Sequence, residues 1–188
     1  MSHVTNRDAA DILFNVATIL ELAEDNPYRV RAYRRAARLL LRSREDAKIR
    51  LTEAGELDLP GLGPRLRLKL GELLSTGRMG FYVELCTDLP PDVVRLMQIE
   101  GVGPKTAQRL NEELGLATAA DVYAAAQAGK IRTLFGFGKK RERRLLHAAE
   151  AALAGRVKSF APVPSEDDLP ELTLLRPTSG QLSLPEAA

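Results

Sequence analysis

The chain has 188 residues, 45% of them apolar and 5% aromatic, with no Trp and a formal net charge of +2, which suffices for one large or two small packed domains. The lone Cys86 excludes an internal disulfide and points to a reducing cytoplasm. No apolar run reaches membrane-spanning length and the N-terminus lacks a signal-peptide pattern.

Alanine and leucine dominate the apolar set, which favours helices. Residues 7–24 place Ile12, Leu13, Val16, Ile19, Leu20 and Ala23 at helical spacing. Asn26-Pro27 breaks that pattern, and a second helix is predicted from Tyr28 to Ser43. Its buried side is read as Val30, Tyr33, Ala37, Leu40 and Leu41. Its other side carries Arg31, Arg34, Arg35, Arg38 and Arg42, a cationic stripe with no acid of its own and a candidate phosphate contact. A poorly patterned segment follows. Leu66, Leu70, Leu73 and Leu74 then form the apolar side of a third helix ending near Gly77. A short helix is predicted around Phe81–Leu85, with Cys86 as a core thiol, and Pro90-Pro91 marks a boundary. Beyond it come Val93–Met97, a helix Lys105–Leu114 closed by Gly115, a helix Ala119–Ala128 capped by Thr118, and a helix Lys139–Leu153. No strand alternation is evident. The fold expected is all-α: two small helical units, 1–88 and 89–157, followed by a disordered acidic, Pro-rich tail, 158–188.

One pattern recurs at the joints between these helices. Leu59-Pro60-Gly61-Leu62-Gly63-Pro64, Ile99-Glu100-Gly101-Val102-Gly103-Pro104 and Leu134-Phe135-Gly136-Phe137-Gly138-Lys139 share apolar–x–Gly–apolar–Gly and each precedes a helix. A glycine turn opening a helix leaves backbone N–H groups without partners, an arrangement that binds anions such as DNA phosphate. Glycine also lets a phosphate backbone come close, because no Cβ intervenes. The residues this implicates are Gly61, Gly63, Arg65, Gly101, Gly103, Lys105, Gly136, Gly138, Lys139 and Lys140. Contacts of this kind read phosphate and sugar, so little sequence specificity is expected.

The repeat resembles the helix-hairpin-helix motif. Together with Arg29-Val30-Arg31-Ala32-Tyr33-Arg34-Arg35-Ala36-Ala37, it resembles the amino-terminal part of bacterial family X DNA polymerases, relatives of DNA polymerase beta, over roughly residues 6–150. In that family a catalytic palm with metal-binding aspartates follows. Here the sequence runs into the tail instead, so no nucleotide polymerisation is expected. The resemblance implies three further features. A monovalent cation, Na+ or K+, would sit on the hairpin carbonyls of Leu59, Leu62, Ile99 and Val102. The family's Schiff-base lysine, which removes a 5′-deoxyribose phosphate, falls on Lys69. Arg29 and Arg65 would hold the 5′-phosphate, and Tyr33 would line the same pocket. A lyase needs a neutral amine, whereas a free lysine titrates near ~10.4. Neighbouring Arg65 and Arg67 and partial desolvation by leucines would lower that value. Leu68 stands where a polymerase-beta-like site has a glutamate, and Glu72 is placed to pair with Lys69.

In the tail, Arg176 stands against Glu166, Asp167, Asp168, Glu171 and Glu186, a net of −4 over residues 159–188 that leaves +6 on the rest. Its end, Gln181-Leu182-Ser183-Leu184-Pro185, resembles the peptide by which bacterial replication and repair proteins bind the sliding clamp. Three readings stand open. One is a DNA-binding module gripping gapped or nicked DNA and tethered to the clamp. The second is a deoxyribose-phosphate or abasic-site lyase acting through Lys69. The third is a protein-interaction scaffold with structural hairpins. A monomer without zinc, haem or nucleotide is expected.

Overall fold

The computed structural model describes residues 4–156. The tail from 157 onward, with its clamp-binding-like segment Gln181–Pro185, lies outside the described residues. Within them the chain forms eight α-helices and two 3-10 turns. The only β pairing among the described residues is an isolated antiparallel bridge between Leu51 and Leu57.

Helix α1 (Asn6–Leu22) starts at a capping box in which Thr5 and Asp8 satisfy each other's backbone N–H groups. Its apolar stripe, from Ala9 to Leu20, packs chiefly on α2 (Pro27–Arg42), which opens with Asn26 as N-cap and Pro27 in the first turn. Two expected core positions fall outside the core. Leu41 is 51% exposed because 100° per residue carries it off the face that buries Leu40. Ala23 is the solvent-facing C-cap of α1.

The unpatterned stretch after α2 is ordered by tertiary contacts. Asn6 of α1 donates to Glu45 O at 2.7 Å and accepts from Ala47 N at 2.8 Å. A 3-10 turn (Ala47–Arg50) and the fully buried Leu57 then bring the 52–58 loop against α3 (Pro64–Thr76). The approach is so close that a Cβ on Gly71, in the middle of α3, would overlap the carbonyl of Gly55. Helix α4 (Gly80–Thr87) buries Tyr82 and Cys86, whose thiol is pushed up to about 12 by burial.

The second half comprises α5 (Pro91–Leu96), α6 (Pro104–Leu114), α7 (Ala119–Gln127) with its own Thr118–Asp121 capping box, a 3-10 turn (Ile131–Thr133) and α8 (Lys139–Leu153). Helices α7 and α8 pack on each other, and α5 packs on α6. Helix α1 touches α3, α4 and α6. The buried set therefore runs without a break from Val4 to Ala149 through both halves.

Candidate nucleic-acid interface and lysine pocket

The three glycine patterns close as three equivalent turns. Leu62 N–H donates to Leu59 O at 3.4 Å, Val102 N–H to Ile99 O at 3.1 Å, and Phe137 N–H to Leu134 O at 3.0 Å. The third residue of each turn is a glycine at positive φ: Gly61 at 86°, Gly101 at 75° and Gly136 at 79°. That conformation is the signature of a type II turn. The apolar residue between the glycines, Leu62, Val102 or Phe137, is buried and anchors the turn. The second glycine, Gly63, Gly103 or Gly138, is the N-cap of α3, α6 or α8 and carries no side chain to accept from the first helical N–H groups. Arg65, Lys105, Lys139 and Lys140 follow at once and are exposed.

The hairpins differ in their surroundings. Hairpin 1 lies beside the arginine stripe of α2: Arg35 Nη2 is 3.6 Å from where a Cβ on Gly61 would stand. The stripe is not free of acids: Glu21 of α1 and Asp25 of the connection before α2 stand beside it. Arg34 pairs with Glu21 at 2.7 Å, and Arg29 pairs with Asp25 at 2.6 Å. Arg31 lies over the ring of Tyr28 at 4.7 Å, while Arg35 and Arg38 are exposed. Hairpin 2 faces α1 across a cavity of about 190 Å³ lined by Asp8, Asp11, Asn15 and Gly101–Gly103. Hairpin 3 opens onto a basic groove of about 370 Å³ containing Lys140, Arg141 and Arg144, with Glu100 and Gly101 of hairpin 2 on its far side.

The turn carbonyls suit a cation unequally. Arg67 Nε donates to Leu62 O at 3.2 Å, so the guanidinium already stands where a cation on hairpin 1 would compete for that oxygen. Hairpin 3 uses a similar device, with Arg109 Nη1 donating to Phe135 O at 2.8 Å. The Leu62 carbonyl is therefore already engaged by a cationic side chain, whereas the Leu59 carbonyl accepts the turn hydrogen bond from Leu62 N–H. At Ile99 and Val102, no arginine contact to the carbonyls is seen among the described hydrogen bonds.

A second feature lies where α2, α3 and α4 meet. Lys69 of α3 donates to Tyr33 Oη at 3.1 Å, and its Nζ stands 3.0 Å from the ring centroid of Phe81. Tyr33 and Phe81 are stacked at 5.9 Å, and Arg29 Cζ is 5.7 Å from the Phe81 centroid. Burial lowers the Lys69 pKa, and the Arg29 and Arg65 charges act in the same direction; Glu84 and Glu72 oppose them. Burial likewise pushes the Tyr33 phenol up to about 12, so it is neutral at physiological pH. The expected causes are thus revised. The Tyr33 and Phe81 rings, more than the leucines, cover the amine. Arg29 stands where Arg67 was expected, because Arg67 turns away to Leu62 O and Asp58. Glu72 does not hydrogen-bond Lys69; its Oε1 accepts from Gly80 N at 3.0 Å.

Residues 4–79 match the family described as a helix-hairpin-helix domain, and residues 93–151 match the SAM-like helix-hairpin-helix tandem. The chain is also 32% identical over 143 residues to the DNA polymerase/3′-5′ exonuclease PolX of Bacillus subtilis (strain 168), an alignment covering 76% of this chain. The chain carries two helix-hairpin-helix domains, and its helical part is similar to part of that polymerase. The chain spans about a quarter of the length of that relative, 24%. No helix among the described residues is long and apolar enough to cross a membrane.

Several residues that shape the hairpins and the lysine pocket escaped sequence reasoning. Phe81, which covers Lys69, sits in an unremarkable apolar run. Arg109 and Arg141 both lie over the Phe137 ring, their Cζ atoms 5.1 and 4.1 Å from its centroid. Glu142, 5% exposed, accepts from Arg132 N at 2.9 Å and pairs with its guanidinium, bracing the 3-10 turn before hairpin 3 against α8. The one available signal was the acid at the fourth residue of a helix otherwise opening with Lys139-Lys140-Arg141.

Proposed function

We propose that this chain is a sequence-tolerant DNA-binding protein of repair or replication that grips gapped or nicked DNA through its hairpins. One observation carries the reading. Three type II turns end on glycine N-caps without side-chain acceptors, and each is followed by an exposed cation. Unpartnered N–H groups at a helix N-terminus favour a polyanion, and glycine allows its backbone to come near. The similarity to a DNA polymerase supports the same class of ligand. Hairpins 1 and 3, lying in cationic surroundings, are assigned the main phosphate contacts. Hairpin 2, beside Asp8 and Asp11, contributes Lys105 from its outer edge. The tail segment Gln181–Pro185 would add a tether to the sliding clamp, raising local concentration on DNA.

The test is binding to gapped, nicked and intact duplexes across a salt series. If about six phosphates are neutralised, log K falls with log salt at a slope near −5. A flat dependence, or amide signals at 61–65, 101–105 and 136–140 that do not shift on titration, refutes the reading and favours a scaffold with structural hairpins. Loss of clamp capture on changing Gln181 and Leu182 to Ala tests the tether separately.

The Lys69 pocket favours a second reading, a deoxyribose-phosphate lyase. A lysine with a lowered pKa beside Arg29 and Arg65 has the requirements for imine formation. Its neutral Nζ would add to the C1′ aldehyde and water would leave. Loss of a C2′ proton would then expel the 3′-phosphate, and hydrolysis of the imine would return the amine. Borohydride trapping on incised abasic DNA decides it: a Lys69-dependent adduct is expected, and equal trapping by Lys69→Ala excludes it.

A further inference from the structure

The second residue of each hairpin turn points outward, and the three copies differ there: Pro60, Glu100 and Phe135. Phe135 is 92% exposed, more than any other large apolar side chain among the described residues; the next, Tyr28, is 75% exposed. Its mounting is stiff. The turn is closed by the Phe137-to-Leu134 hydrogen bond, and the Phe135 carbonyl is fixed by Arg109. Arg109 is itself held by Glu113 at 2.5 Å, and Arg141 by Thr106 at 2.8 Å, and both guanidinium groups lie against the ring of the buried Phe137.

Among the described residues, the hairpin around the tip presents no apolar patch of the kind that protein partners use. Leu134 and Phe137 are buried, while Gly136, Gly138, Lys139 and Lys140 make up the rest of the exposed hairpin. A single aromatic ring on a rigid turn, set among cations and helix N–H groups that would hold phosphates, matches a base-stacking platform. Its rigidity limits the ordering cost of contact. Intact duplex buries its base faces in the stack; a gap, nick or single strand offers them.

We infer that Phe135 stacks on an unstacked nucleobase and so gives hairpin 3 its preference for interrupted or single-stranded DNA. This rests on the nucleic-acid reading above and adds a contact to the base, where the rest of the interface touches backbone.

The sequence contains no Trp, so Phe135→Trp supplies a single fluorescent reporter at an exposed position that folding does not need. Its emission is expected to fall on binding gapped or single-stranded oligonucleotides and to change little on intact duplex. Phe135→Ala should lose about tenfold in affinity for gapped DNA while its intact-duplex affinity and salt slope stay the same. Lys139→Ala/Lys140→Ala should weaken both substrates alike. Unquenched emission at saturating gapped DNA, or wild-type affinity of Phe135→Ala on every substrate, overturns the stacking role and leaves phosphate binding intact. Absence of DNA binding by the wild-type chain overturns both. Self-association that disappears in Phe135→Ala, with DNA affinity unchanged, would reassign the ring to contact with a second copy.

Discussion

Glu72 gives its carboxylate to the backbone N–H of Gly80, 3.0 Å away, and not to Lys69 one turn before it. Helix α4 has Met79 at its N-cap position, with no side-chain acceptor of its own, so the acid from α3 acts as a cap in trans. That bond fixes the start of α4 and hence the ring of Phe81, the next residue, over the lysine. Glu72→Ala should lower stability by about 1 kcal/mol, whereas Glu72→Gln, which keeps an acceptor oxygen, should lose less. Urea midpoints measure this; equal losses in the two variants would show that the cap is unimportant.

Lys69 titrates below the ordinary lysine value of 10.5, first through burial and then through the Arg29 charge. Arg29→Ala should therefore raise its pKa, and the 13C shift of methylated Lys69 followed against pH reads the change. The linkage has a definite sign. The folded-state value is depressed, so between it and 10.5 the unfolded chain binds more protons. Across that window the contribution of Lys69 makes the fold more stable as pH rises. A Lys69 that titrates at or above 10.5 would remove the physical basis of the lyase reading.

Gly71 looks on paper like a weak point in α3, because Ala there should gain about 0.5–1 kcal/mol of helix propensity. The Gly55 carbonyl reverses that expectation. Gly71→Ala must push the 52–58 loop off the helix and should cost about 1–3 kcal/mol. A thermal melt at or above wild type would contradict the close approach.

Glu142 ties Arg132 to the first turn of α8 through both its backbone N–H and its guanidinium. Glu142→Ala leaves the half-buried N–H of Arg132 without an acceptor and should cost about 1–3 kcal/mol. Glu142→Gln should cost less. The same loosening should weaken gapped-DNA binding, if hairpin 3 must be rigid to engage it. Unchanged affinity in a folded Glu142→Ala protein would separate rigidity from binding.

These cases mark where sequence reading stops. The hairpins were legible because the signal is local: paired glycines at fixed spacing, a turn requiring positive φ, and a helix start immediately after. Helix α8 is expected over Lys139–Leu153 and is found so, its start set locally by Gly138 at the N-cap. The Lys69–Tyr33 proximity followed only from family resemblance; 36 residues separate them. The acids opposite the arginine stripe, the ring over Lys69, the loop against Gly71 and the guanidinium groups on the turn carbonyls all come from other elements. Periodicity says which face of a helix is apolar, but not which neighbour supplies the missing partner. Leu41 shows the limit even within one helix, because a single step around the axis separates core from solvent.

Cys86 is buried on α4, the helix that also carries Phe81, but on a different face of it. A thiol so enclosed reacts with alkylating reagents only when α4 lifts from its neighbours. Its modification rate is therefore a built-in clock for breathing of the α4 segment, readable on the unmodified polypeptide by mass spectrometry. Comparing that clock with and without an oligonucleotide would tell whether ligand engagement tightens the lysine's enclosure or springs it apart.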